Sequence, residues 1–300
     1  YYNIINYIII WILRNFLNTI DIDNNSYYTN IFLKRIISLS KFEKHKILFN
    51  KEKIQVKYNH FTNNGRITSN LSSLKHENRK FIKSNFGNDG IFFYFDFKSL
   101  HPNLILSLMK KEIFKFKNKS KVCLPIASFY DELGIYTEFK NKSKEEIKKN
   151  VFTILYGFQN LPDINILENM YNFSNNIYQQ YLKDEFIKTP FGKIIKLDEQ
   201  HQNRGTIFAN FIQSIESNFL PERLYPILKE NNNLEIIPIL YLYDGMLFDV
   251  KKSEKNFKEI KNIYILLSNG KENENQYFEN EKFPLSLQYG NNFGNMKTYI

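Results

Sequence analysis

The chain has 300 residues, 43% of them hydrophobic and 16% aromatic, enough apolar material for one large or two moderate packed domains and too much for global disorder. With 41 Lys and Arg against 31 Asp and Glu spread along its length, it carries a net charge of +10, which favours a polyanionic partner, nucleic acid before anionic membrane. The single cysteine, Cys123, excludes an internal disulfide and a cysteine-based zinc site and suits a reducing compartment.

Residues 1–57 read as mainly helical, with Ile, Leu and Phe at helical spacing and lysines on the remaining face. Asn3, Asn6, Arg14, Asn15 and Asn18 interrupt the apolar opening. Its clean run, 7–13, is far short of the roughly 20 residues that a spanning helix needs, so no membrane partner is expected. No secretory pattern is visible, and a start without Met reads as a processed or truncated chain.

Asn64-Gly65 marks a turn between strand-forming residues. Arg66, just after it, is either a solvated hairpin arginine or, with Thr62 nearby, a grip on a phosphate backbone. Ile91-Phe92-Phe93-Tyr94-Phe95 then reads as a buried strand that ends in a carboxylate, Asp96. A charge placed there costs several kcal/mol unless something pairs with it. Two readings stay open for Asp96, a metal ligand or the cap of a helix through Leu104, Leu106 and Leu108. Lysines at 110, 111, 115, 117, 119 and 121 follow.

Ser143 with Glu146 forms a capping box, so a helix begins there, and Gly157 and Pro162 close it. Along it Lys144, Lys148, Phe152 and Tyr156 recur every fourth residue on one face. At about 1.5 Å per residue the stripe is roughly 18 Å long, cationic at one end and aromatic at the other. That shape suits a nucleoside triphosphate, its phosphates at the lysines and the helix N-terminus, its base and sugar at the rings. An amphipathic helix with two core aromatics has the same spacing.

Helical spacing resumes over 164–183, a turn at Pro190 to Gly192 leads into a strand, and 204–228 reads as a long helix. On it the amides of Asn210 and Gln213 suit base or minor-groove contact, or simple solvation. Two apolar strands over 236–250 meet at Asp244-Gly245, a strong hairpin signal that accounts for Asp244 by conformation alone. Residues 283–288 read as a further strand. There is no internal repeat, zinc spacing, phosphate-binding Gly-rich loop or serine-nucleophile elbow.

Two aspartates at strand ends, far apart in sequence, are what an oxygen-ligated two-metal site requires. In this order the segments resemble the family A DNA polymerases over about residues 58–290. The segment Thr62-Asn63-Asn64-Gly65-Arg66-Ile67-Thr68-Ser69 is similar to the family's Thr-x-x-Gly-Arg-Leu-Ser-Ser, which implies primer-template contact by Arg66 and Thr62. Phe95-Asp96-Phe97 looks like its first catalytic motif, implying a metal-binding Asp96 assisted by the Phe97 carbonyl. Lys148, Phe152, Tyr156 and Gly157 fit the fingers-helix pattern Lys-x3-Phe/Tyr-x3-Tyr-Gly, with Lys144 where Arg is usual, implying nucleotide binding and a catalytic Lys148. Gln213 fits a palm glutamine. Tyr243-Asp244 resembles the His-Asp of the last motif, which places Asp244 on the metal and Tyr243, with Asn210, on the primer-template.

Several positions depart from the family. His101 stands in place of a Glu that crowds the sugar 2′ position, and Ser99-Leu100-His101-Pro102 looks more like the Ser-Leu-Tyr-Pro of family B, which implies nucleotide contact by Ser99 and His101. Gly245 replaces the acid after the second catalytic Asp. Asp249 is not expected to substitute, because five residues along a strand turn it to the opposite face. Lys148-x-x-Val151-x-Thr153 echoes the single-subunit RNA polymerases.

The resemblance implies an α+β right-hand polymerase core with an antiparallel palm sheet. It divides into a reduced thumb-like helical region (1–57), palm (58–110), fingers (111–191) and palm again (192–300). The implied activity is template-directed addition of deoxynucleotides to a primer 3′ end, with two Mg²⁺ or Mn²⁺ ions as cofactors. The partners are DNA primer-template, deoxynucleoside triphosphates and an accessory chain for the thumb, a clamp or priming. No exonuclease segment appears, so no proofreading is expected, and the short thumb region implies low processivity. An intracellular setting is expected, cytoplasm, organellar matrix or a phage-infected host. A single-subunit RNA polymerase or primase-like enzyme, and a catalytically silent nucleic-acid-binding module, remain alternatives.

Overall fold

A computed structural model describes residues 19–22, 53–55, 66, 69, 71–72, 79–80, 82–110, 143–157, 165–230, 233–270, 278–279 and 281–300. Strands are numbered in chain order as β1 (Thr19–Ile22), β2 (Lys53–Gln55), β3 (Ile82–Lys83) and β4 (Gly90–Phe97), followed by β5 (Ile187–Lys188), β6 (Ile194–Ile195), β7 (Ile236–Leu242), β8 (Gly245–Lys251), β9 (Leu285–Gly290) and β10 (Lys297–Thr298). Helices are α1 (Leu100–Lys110), α2 (Lys144–Tyr156), α3 (Asn165–Asp184), α4 (Arg204–Glu230) and α5 (Glu254–Asn269).

Five strands form an antiparallel sheet in the order β10-β9-β4-β8-β7, with β4 at its centre. Side chains alternate across a strand, so Ile91, Phe93, Phe95 and Phe97 all join one core with Met246, Phe248, Leu285 and Leu287. The rings of Phe95 and Phe248 meet edge to face at 5.2 Å, and Phe97 meets Phe219 of α4 at 5.5 Å. Tyr94 and Asp96 therefore emerge on the opposite face.

Helix α4 organises the helical layer, packing against α1, α2, α3 and α5. Two buried arginines on it satisfy carbonyls that other helices leave unpaired at their C-terminal ends. Arg204 donates to the carbonyls of Ile154, Leu155 and Gly157 and to the Ser174 hydroxyl, and lies over the Tyr171 ring at 4.3 Å. Beside it Gly205 passes so close to the Tyr156 carbonyl that any Cβ there would collide with it. Arg223 donates to the carbonyls of Leu267, Ser268, Phe278 and Glu281, which ties α5 and the approach to β9 onto α4.

Three local expectations change. Within residues 1–57 the described segments are β1 and β2, strands that form a small antiparallel sheet with β3, in place of the expected helix. The 236–250 hairpin turns at Tyr243-Asp244, and Gly245 is already the first residue of β8. Asp249 lies on the same sheet face as Gly245, four residues further on, and is set apart by roughly 13 Å of strand and not by facing away. Its buried carboxylate accepts hydrogen bonds from the Ser84 hydroxyl at 2.5 Å and the Asn85 N–H at 2.8 Å, a structural assignment. The turn at Asn64-Gly65 and the 111–142 segment lie outside the described residues.

Replacing Arg223 with Met keeps its bulk but strips the partners from four carbonyls. We expect a loss of about 3 kcal/mol or more in urea unfolding; parent-like stability would mean that water replaces the guanidinium without cost.

Candidate active site

Asp96 is the penultimate residue of β4 and pairs in register with Gly245, so the Asp244 turn lies beside it. The Phe97 N–H donates to the Asp244 carbonyl at 3.0 Å, and the Ser286 hydroxyl donates to the Asp96 carbonyl at 3.2 Å, pinning both backbones. Helix α1 starts only at Leu100, and the Ser99 carbonyl accepts its first-turn bond from Asn103, so Ser99 and not Asp96 occupies the cap position. Ser99 and Tyr243 have φ of 49° and 47°, in the left-handed region that non-glycine residues avoid. Each lies within three residues of one of the two aspartates, and such strain gathers at functional sites.

Both carboxyls are costly to ionise here, chiefly because they are buried. Burial pushes Asp244 up to about 7, with the charges of Asp96 and Glu216 adding to it. Burial likewise holds Asp96 above the usual carboxylate range, against the lowering effects of the Tyr94 hydroxyl and Lys98. Burial and then the charges of Asp96 and Asp244 push the Tyr94 phenol well above its ordinary value, so it stays protonated. A pair of oxygen-donor groups destabilised by proximity and desolvation fits a hard divalent cation, which would relieve both effects. Among the described residues no three His, Cys, Asp or Glu side chains gather as metal ligands.

Beside this pair lies a network absent from the sequence reading. Glu216 of α4 is 3% exposed, and its Oε2 accepts from Arg66 Nε at 2.6 Å while Arg66 Nη2 lies 2.5 Å from the same oxygen. His101 Nε2 stands 3.2 Å from Glu216 Oε1, and its Nδ1 lies 2.9 Å from the Tyr156 hydroxyl of α2. Burial pushes Glu216 up, yet the hydrogen bond and charge of His101 and the charge of Arg66 outweigh it and hold the carboxyl below its ordinary value. The Arg66 guanidinium also lies over the Tyr243 ring at 4.9 Å. No local pattern marks Glu216; it is one polar residue on a long helix until Arg66 and His101 converge on it.

Helix α2 begins with the expected capping box, Glu146 N–H on Ser143 Oγ and Ser143 N–H on Glu146 Oε2, and ends at Gly157. Phe152 is exposed and stacks on Tyr156 with centroids 5.8 Å apart, and both rings stand edge-on to His101, at 6.4 and 6.1 Å. Lys144 opens the helix and Lys148 is exposed one turn on. Gln213 is half-buried on α4, one turn before Glu216, and the Asn210 amide donates back to the Thr206 carbonyl at 2.9 Å. Thr62 lies outside the described residues. Gly157 forms the α2 cap, where its carbonyl receives Arg204.

No family model and no curated protein matches the chain. Among solved structures it is similar to the POL domain of Pol1 from M. smegmatis, determined in complex with DNA primer-template and dNTP. The TM-score is 0.61 at 13% identity, and the match covers 90% of this chain and 56% of that one. At that identity the likeness is one of fold, and the chain has a polymerase-like fold. Among the described residues no helix is long and apolar enough to cross a membrane.

Because the folded protein holds a proton on Asp244 that an unfolded chain would release, its stability falls as pH rises from 3.8 towards about 7. Asp244→Asn removes that contribution. The stability difference between parent and variant, read from urea unfolding without divalent ions, therefore shifts in favour of the variant across this window; a pH-independent difference would show that Asp244 titrates normally.

Proposed function

We propose that the chain is the palm and fingers core of a template-directed DNA polymerase that adds deoxynucleotides to a primer 3′ end. The observation that carries this reading is the pairing of Asp96 with the Asp244 turn at the end of a central antiparallel sheet, linked through Glu216 and His101 to the aromatic end of α2. Residues 1–57 form the thumb-like part, 58–110 and 192–300 the palm and 111–191 the fingers.

In this reading Asp96 and Asp244 hold the divalent cations, Mg²⁺ or Mn²⁺, with the Phe97 carbonyl. When bound, these ions supply charge stabilisation to the triphosphate and acidify the attacking hydroxyl. Lys144, Lys148 and the first turn of α2 neutralise phosphate oxygens, while Phe152 and Tyr156 flank the base and sugar. The primer 3′ hydroxyl gives up its proton to solvent and its oxygen attacks the α-phosphorus in line, the new P–O bond forming as the bond to the bridging oxygen breaks and pyrophosphate leaves. His101 and Phe152 crowd the sugar C2′, which leaves no room for a ribose hydroxyl, and Ser99 caps the helix α1 that carries His101. Arg66, Tyr243, Gln213 and Asn210 line the primer-template side. The Glu216 carboxylate fixes Arg66 and His101 in place without itself facing the substrate.

Primer extension with Mg²⁺ should fall by about a thousandfold or more in Asp96→Asn and in Asp244→Asn, while duplex binding stays within a few fold of the parent. Either variant extending primer at the parent rate would remove the catalytic assignment. His101→Ala should raise ribonucleotide incorporation relative to deoxynucleotide on the same template; an unchanged ratio would place sugar selection elsewhere, and a parent that prefers ribonucleotides would make it an RNA polymerase.

A further inference from the structure

Gly245 looks at first like the loss of an acid from the site, but the space beside it is already taken. An ideal Cβ at 245 would lie 2.6 Å from Cζ of Tyr94 and 2.8 Å from the Phe95 carbonyl oxygen, closer than any side chain tolerates. Tyr94 reaches that volume from the neighbouring strand. It sits two residues before Asp96 on β4, on the same sheet face, and its hydroxyl lies 3.5 Å from Asp96 Oδ1. The Phe293 ring meets Tyr94 edge to face at 5.9 Å, and the Arg79 guanidinium lies over the Phe293 ring at 4.8 Å, so the phenol is packed on this side by a ring that is itself held.

We propose that Tyr94 is a positioning residue for the metal site. Its hydroxyl, standing where a side chain at 245 would project, donates to one oxygen of Asp96 and turns the other towards the cation. The inference rests on the metal-binding role given to Asp96 above and adds to it a partner from the same strand. A phenol is suited to this because it donates one hydrogen bond while bringing no charge to a place where two carboxylates already repel each other. Partners of this kind fix the orientation of a ligating carboxylate, and their removal commonly weakens metal affinity by about 10- to 100-fold. If the ring were there only to fill space, Phe would serve equally well.

Tyr94→Phe separates the two cases, since it keeps the ring, the Phe293 contact and the exclusion at 245, and so keeps the fold. Mn²⁺ binding to the full chain, followed by the loss of the free-ion paramagnetic resonance signal, should weaken by about tenfold or more in Tyr94→Phe. In primer extension its kcat should drop while KM for the deoxynucleotide stays near the parent value, and its thermal midpoint should be unchanged. Parent-like Mn²⁺ affinity in Tyr94→Phe, with binding abolished in Asp96→Asn, would overturn the role of Tyr94 alone. Parent-like affinity in Asp96→Asn would overturn the metal-site reading beneath it.

Discussion

Two carboxylates held next to each other in a partly buried place repel, and each would rather be protonated or solvated. In this chain the backbone leaves them no such freedom. The register of β4 against β8 sets Asp96 opposite Gly245, the Phe97 amide ties the Asp244 carbonyl to the end of β4, and the phenylalanine layer under the sheet keeps the strand from shifting. A one-residue slip would turn Asp96 into that apolar layer, at a cost of several kcal/mol for the unpaired charge, so the core that stabilises the sheet also enforces the proximity.

The surrounding charges are arranged to leave that strain in place. Arg66 and His101, two of the nearby groups that carry or can accept positive charge, are turned towards Glu216, whose carboxyl they hold below its ordinary value, while Lys98 offsets only part of the burial at Asp96. Asp244 therefore gains only a lesser offset from Arg66. Helix α4 carries this division of labour along one axis. Its start holds the end of α2 through Arg204, its middle places Glu216 under His101 and Arg66, and its later turns hold α5 through Arg223. Because Tyr156 of α2 bonds His101, a movement of α2 would be felt at Glu216 and Arg66 through direct hydrogen bonds.

Much of this was legible from local pattern. The unbroken apolar run before Asp96 predicts a buried strand, Ser143 with Glu146 predicts the start of α2, and the spacing of Lys148, Phe152 and Tyr156 predicts a single face, because each signal arises from residues a turn or less apart. Other features depend on tertiary neighbours. Gly245 reads as a turn residue by propensity, yet its place is set by the Tyr94 ring, a contact between strands about 150 residues apart in sequence. Glu216 acquires its meaning only when Arg66 and His101 arrive from distant segments. Helix α5 carries the same kind of local signal: Ser253 caps it, and Ile260, Ile263 and Leu267 recur on its buried face. The assignment of helix to residues 19–22 and 53–55 failed because apolar residues in short runs satisfy strand pairing as readily as helical spacing.

The account stands on Asp96 and Asp244 sharing a divalent ion, and the most direct measurement is an anomalous-scattering map from crystals of the chain soaked in Mn²⁺. The account predicts a peak held by the carboxylates of both Asp96 and Asp244. A peak bound elsewhere, or to one of the two alone, would contradict it.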